Sequence, residues 1–200
     1  MDECCNVTSI PDRQRRVFRT VLAINVGMFL LESVTGILAS STALLADSMD
    51  MLGDAIVYGF SLYVVGRGTI WQARGAMLKG AIMAAFCIGV LSQAIFKALY
   101  GIAPTVEVMG VVGVLAFAAN VACLWFLWEH RQDDINMRSA WVCSRNDVIG
   151  NVGVLLAALA VHVTGSPWPD IMIGLVIATV FGRSAIIVLR EASRELQFSN

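Results

Sequence analysis

Six apolar stretches, each long enough to cross a bilayer, follow one another along this chain at about 18–38, 43–65, 77–99, 106–128, 140–162 and 169–189. A hydrocarbon core is ~30 Å thick and a helix rises 1.5 Å per residue, so one crossing takes roughly 20 apolar residues. Six crossings with short connections use nearly all of the 200 residues and leave no stretch for a soluble domain. Composition agrees. Hydrophobic residues make up 58% and charged residues 14%, against about 45–50% and 25% in soluble domains; the mean hydropathy is +0.73. The reading is an all-α membrane protein of six transmembrane helices: an N-terminal tail over 1–17, a six-helix transmembrane domain over 18–190 and a short tail over 191–200.

Lys and Arg alternate between the two sides of this topology. The N-terminal tail and its junction hold Arg13, Arg15, Arg16 and Arg19; the second connection holds Arg67, Arg74 and Lys79 beside an interfacial Trp71. The fourth holds Arg131 and Arg138, and the C-terminal end holds Arg190 and Arg194. The first connection (Ser40–Thr42), the third (around Pro104) and the fifth (the Ser166–Asp170 turn) have almost none, with Lys97 at the edge of span three as the exception. By the positive-inside rule both termini are cytoplasmic. The first 17 residues carry charge without an apolar core, so no cleavable signal peptide is expected. The net charge of −1 gives no reason to expect a nucleic-acid partner. The five cysteines do not form a secreted disulfide framework: Cys87, Cys123 and Cys143 lie in apolar segments, and Cys4 and Cys5 are adjacent.

Charged side chains inside a span cost several kcal/mol, about 2.5–3.5 on insertion scales, and mark function more often than packing. Span two carries Asp47, Asp50 and Asp54, whose spacings of three and four place them on one helical stripe. Span five carries Cys143 and Asp147, four apart and again on one face. Asp50 and Asp54 facing Cys143 and Asp147 would make a four-ligand tetrahedral set of the kind zinc accepts. The plainer alternative is structural pairing of a carboxylate with Arg145 or Arg183. Asp47 and Glu32 are read as accessory or pathway residues, and Cys4 and Cys5 as a thiol pair that either captures metal or belongs to an inert tail. Cys87 and Cys123 read as core, Asn25 and Asn120 as interhelical glue, and His130 and His162 as surface residues rather than ligands. Gly27, Gly36, Gly53, Gly150 and Gly153 suit close helix approach. Arg145, between two ligand candidates, is expected to face away from them.

At these positions the chain resembles the cation diffusion facilitator family of metal exporters. The run LLESVTGILASSTALLADSMDMLGDA is similar to the family's first two spans, and AANVACLWFL followed by NMRSAWVCSRNDVIGNVGVLLAAL to its fourth and fifth. WPDIMIGLVIA and LREASREL resemble its sixth span and exit. The resemblance implies that Asp50 and Asp54 occupy the family's second-span ligand positions and Asp147 a fifth-span one. Cys143 stands where the family usually has His; a thiolate would favour zinc, cadmium or softer metals such as lead. The family usually carries a cytoplasmic domain after the sixth span, whereas this chain stops shortly after LREASREL, so the expected form lacks that domain.

The expected function is efflux of divalent heavy-metal cations from the cytoplasm by proton antiport, in a bacterial inner membrane, with no prosthetic cofactor and the metal as substrate. Its expected partners are divalent cations, protons, the lipid bilayer and a second copy in a homodimer. The alternative is a membrane protein that binds or senses metal without moving it. An enzyme is not expected, since no nucleophile–base pair or His-Glu-x-x-His run is present.

Overall fold

Every apolar window becomes a helix over its described residues. The structure, a computed structural model, describes residues 12–63, 69–132 and 135–198. In order these form α1 (Asp12–Leu38), α2 (Thr42–Tyr63), α3 (Thr69–Tyr100), α4 (Val106–Trp128), α5 (Ile135–Thr164) and α6 (Trp168–Phe198), with no strand among the described residues. Five of the six are long and apolar enough to cross a membrane; the exception is α2, whose 22 residues include the three aspartates. Cys4 and Cys5 lie outside the described residues, as do Gly66, Arg67 and Gly68.

The helices outrun their apolar windows at the polar ends. Trp71, Arg74 and Lys79, expected in a headgroup-level loop, lie on α3, and Trp168 to Asp170, expected in a turn, form the start of α6. Hydropathy records the thickness of hydrocarbon, whereas a helix continues for as long as its backbone bonds do.

Successive helices pair as antiparallel hairpins, α1 with α2 and α4 with α5, and α1 also packs on α4. The remaining two, α3 and α6, pair closely with each other and meet the rest mainly through α2. Accordingly α2 is central. Its Tyr58 joins one apolar cluster with Phe18, Val21, Cys123, Leu127, Met137 and Ala140. Its Ala43 and Leu44 join a second with Met109, Val112, Val154, Ala157 and Ala158 at the other end of the bundle. On a third side Ala46 and Met49 pack with Val90 and Ala178.

The distribution of polarity is the reverse of a soluble protein's. Leu30, Val34, Ile37, Leu99, Val111, Val163 and Val176 are more than half exposed, while Glu32, Asp47, Asp54, Asp147, Lys97 and Asp170 are buried. An apolar belt around ionisable groups suits lipid outside and a polar path within.

Two glycines permit the closest approaches. A Cβ at Gly174 of α6 would lie 2.7 Å from Thr42 Cγ2 and 2.8 Å from the Thr42 carbonyl, and one at Gly80 of α3 would lie 2.7 Å from Leu189 Cγ. Of the glycines expected to do this, Gly36 does so against Leu45 at 3.0 Å, while Gly27 and Gly150 meet nothing within 4 Å.

Candidate metal site

The α2 stripe of Asp47, Asp50 and Asp54 faces α5, as the spacing requires. Asp50 is partly buried, and its carboxyl group faces that of Asp147 across the α2–α5 interface. One turn further along, Asp54 is buried and its Oδ2 accepts a 2.7 Å hydrogen bond from the Tyr58 hydroxyl. Cys143 is partly buried on α5 and lies within electrostatic range of Asp147 and Tyr58. The four expected ligands therefore share one interface. Among the described residues, however, no three His, Cys, Asp or Glu side chains are arranged closely enough to enclose a cation. Of the four, Asp54 is engaged by a side chain outside the set, the Tyr58 hydroxyl.

In the direction of the α2 N-terminus the acidic line continues. Asp47 is buried, and its Oδ1 accepts a 3.3 Å bond from Asn151 Nδ2, which also donates to the Asp147 carbonyl at 3.0 Å. Glu32 of α1 is fully buried within electrostatic range of Asp47 and Asp50. The result is a seam of five carboxylates from three helices, Glu32, Asp47, Asp50, Asp54 and Asp147. The arginines proposed as structural partners stand elsewhere. Arg145 and Arg183 are exposed, and Arg145 lies over the Trp141 ring at 5.5 Å, facing away from the seam as expected.

Asn25 acts as glue between α1 and α4, donating to the Val21 carbonyl and to Cys123 Sγ. Cys123 is core, as read from the sequence. His162 is exposed, whereas His130 is buried, contrary to its reading as a surface residue; the turn after α4 folds it inward, its N–H donating to the Leu127 carbonyl at 3.1 Å.

Three functional-looking groups escaped the sequence reading: Tyr58, Asn151 and the buried pair Lys97–Asp170. Asp170, in the first turn of α6, accepts from Lys97 Nζ at 2.5 Å, Ser41 Oγ at 2.6 Å, and the backbone N–H groups of Thr42 and Ala43 at 2.7 and 3.1 Å. It therefore caps the N-terminus of α2 from a different helix, where anionic groups are favoured by unsatisfied N–H groups and the helix dipole. A lysine inside an apolar run was the available signal, since such a residue needs a partner.

An apolar-belted helical bundle with a buried acidic seam defines a polytopic integral membrane protein built to handle cations. The family model for the cation efflux transmembrane domain matches residues 19–197, and the chain belongs to this family of membrane transporters. It is 28% identical over 135 residues to the zinc transporter ZitB of Yersinia pestis, covering 65% of this chain and 43% of that protein. It is 26% identical over 179 residues to the metal cation efflux system protein CzcD of Cupriavidus metallidurans, covering 84% and 57%. It is 24% identical over 126 residues to a cadmium, cobalt and zinc/H(+)-K(+) antiporter of Bacillus subtilis, covering 61% and 40%. The chain thus matches between two fifths and three fifths of the length of these relatives. Their bacterial sources point to the inner membrane.

Proposed function

We propose that this chain exports divalent metal ions from the cytoplasm in exchange for protons, with Asp50, Asp54, Cys143 and Asp147 as the ligands that the metal meets between α2 and α5. The observation that carries the proposal is the carboxyl–carboxyl contact of Asp50 and Asp147 inside the bundle. Two facing carboxyl groups inside a bundle can share a proton, whereas ligation requires both to be deprotonated. Metal and proton therefore compete for the same oxygens, which is what antiport needs. Names of the relatives support this reading: a zinc transporter, a cation efflux protein and an antiporter of cadmium, cobalt and zinc.

Binding requires the four side chains to close on one point. Asp54 must leave the Tyr58 hydroxyl, exchanging that bond for a metal–ligand bond, and the proton shared by Asp50 and Asp147 must depart. The thiol of Cys143 tilts the set toward zinc, cadmium and softer ions over manganese or magnesium. With Lys and Arg concentrated at the end of the bundle that holds both termini, that end faces the cytoplasm, and two copies associate in the membrane.

The test is metal uptake into inside-out vesicles under a pH gradient, comparing zinc, cadmium, lead and manganese. Asp54→Ala and Asp147→Ala should each abolish gradient-driven uptake while inserting normally. Wild-type rates in both variants would refute the site. Metal binding without accumulation by the unaltered protein would identify a sensor instead.

A further inference from the structure

The proposed exchange leaves two buried carboxylates unused. Glu32 is 0% exposed, and neither of its oxygens has a hydrogen-bond partner. Asp47 is 1% exposed; Asn151 occupies its Oδ1, and its Oδ2 has no partner. Among the described residues neither carboxylate has an ion pair, and the buried ammonium of Lys97 belongs to Asp170. Three carboxylate oxygens on adjoining helices therefore lack any protein donor. Burying such groups uncompensated costs several kcal/mol. Ionised carboxylates only accept, so only a cation or a proton can offset that cost.

Glu32 and Asp47 lie within electrostatic range of each other, so one divalent ion held between them would offset both buried charges. The Asn151 amide, anchored on the Asp147 carbonyl, fixes Asp47 so that its other oxygen remains available.

We propose that Glu32 and Asp47 form a second divalent-cation station between α1 and α2, three residues and about 4.5 Å of helix rise beyond Asp50 toward the α2 N-terminus. Two carboxylates supply the charge that balances a divalent ion. The donors are all oxygen, so the station holds zinc and cadmium less tightly than a set containing Cys143. A metal leaving the Asp50–Asp147 level then passes to weaker ligands on its way to the far end of the bundle. That directional role rests on the transport reading; the binding itself does not.

Equilibrium dialysis of the full-length purified chain against zinc tests the station, with bound metal counted per chain. Unaltered protein should hold roughly two zinc ions, and Glu32→Gln/Asp47→Asn and Asp54→Asn/Asp147→Asn roughly one each. The ion surviving in Asp54→Asn/Asp147→Asn should show less preference for cadmium over zinc. Because Glu32→Gln removes an uncompensated buried charge, its metal-free unfolding temperature should match or exceed that of the unaltered chain, which a purely structural carboxylate would not give. Unchanged stoichiometry in Glu32→Gln/Asp47→Asn, or complete loss in Asp54→Asn/Asp147→Asn, overturns the station. Full retention in Asp54→Asn/Asp147→Asn with loss in Glu32→Gln/Asp47→Asn overturns instead the site assigned under the proposed function.

Discussion

Replacing Asp170 by alanine should be among the most damaging single changes outside the acidic seam. The carboxylate is fully buried and receives four donors: the Lys97 ammonium, the Ser41 hydroxyl and the N–H groups of Thr42 and Ala43. Alanine leaves a buried ammonium without its counter-charge, which costs about 3–5 kcal/mol. It also removes the cap on α2, for which about 1 kcal/mol is typical. For a chain of this size each kcal/mol lowers the unfolding temperature by about 2–4 °C, so the expected drop is roughly 8–24 °C. Lys97→Met should cost less. It leaves the carboxylate with three donors at a helix N-terminus and removes only one charged hydrogen bond, about 1.5–3 kcal/mol. The double variant should recover part of the Asp170→Ala loss, because no charge is then stranded. Thermal unfolding of the four proteins in one detergent closes this cycle. An Asp170→Ala protein within about 2 °C of wild type, or a double variant no better than Asp170→Ala, would refute the stranded-charge reasoning.

Other substitutions probe packing and ligation. Gly174→Ala should destabilise by about 1–3 kcal/mol, because its Cβ would lie 2.8 Å from the Thr42 backbone. Gly27→Ala, with open space around it, should stabilise by about 0.5–1 kcal/mol; equal effects in thermal melts would refute the contrast. Cys143→Ser should lower cadmium uptake more than zinc uptake, since oxygen is a harder donor than sulfur; an unchanged cadmium-to-zinc ratio would remove Cys143 from the ligand set. Zinc affinity should fall as pH falls, by about tenfold per pH unit for each proton the ligands must release. Dialysis across pH 5.5 to 7.5 measures this, and a flat profile would refute shared occupancy by proton and metal.

Much of the fold was legible because hydrocarbon imposes a length. The window at 106–128 coincides with α4, Val106–Trp128. The windows near 140 and 189 mark neither the start of α5 at Ile135 nor the end of α6 at Phe198, since polar residues there carry the helices beyond the bilayer. The carboxylates of α2 and α5 stood out because nothing but function or pairing keeps charge inside a span. Their partners did not. Whether Asp54 meets Tyr58 or a metal, and whether Asp47 meets Asn151, depends on helix rotation and rotamer, which a periodicity of 3.6 does not resolve. Lys97 and Asp170 are 73 residues apart, and only the packing of α3 on α6 brings them together. Both were visible separately, one as an anomaly of the charge pattern and the other as a turn residue.

The buried pair also gives the bundle a lever. At the α2 N-terminus Asp170 ties α2 to α3 and α6. At the opposite end the ion pair between described residues is the exposed bridge from Arg13 of α1 to Glu129, just after α4, a type that contributes about 1 kcal/mol or less. A tilt of α2 against the α3–α6 pair then has its fulcrum beside Thr42. Rotating by about 10° displaces Asp47 by ~1 Å, Asp50 by ~2 Å and Asp54 by ~3 Å, from a rise of 1.5 Å per residue. The four-ligand set would sit where the lever arm is long, and Glu32 and Asp47 where it is short.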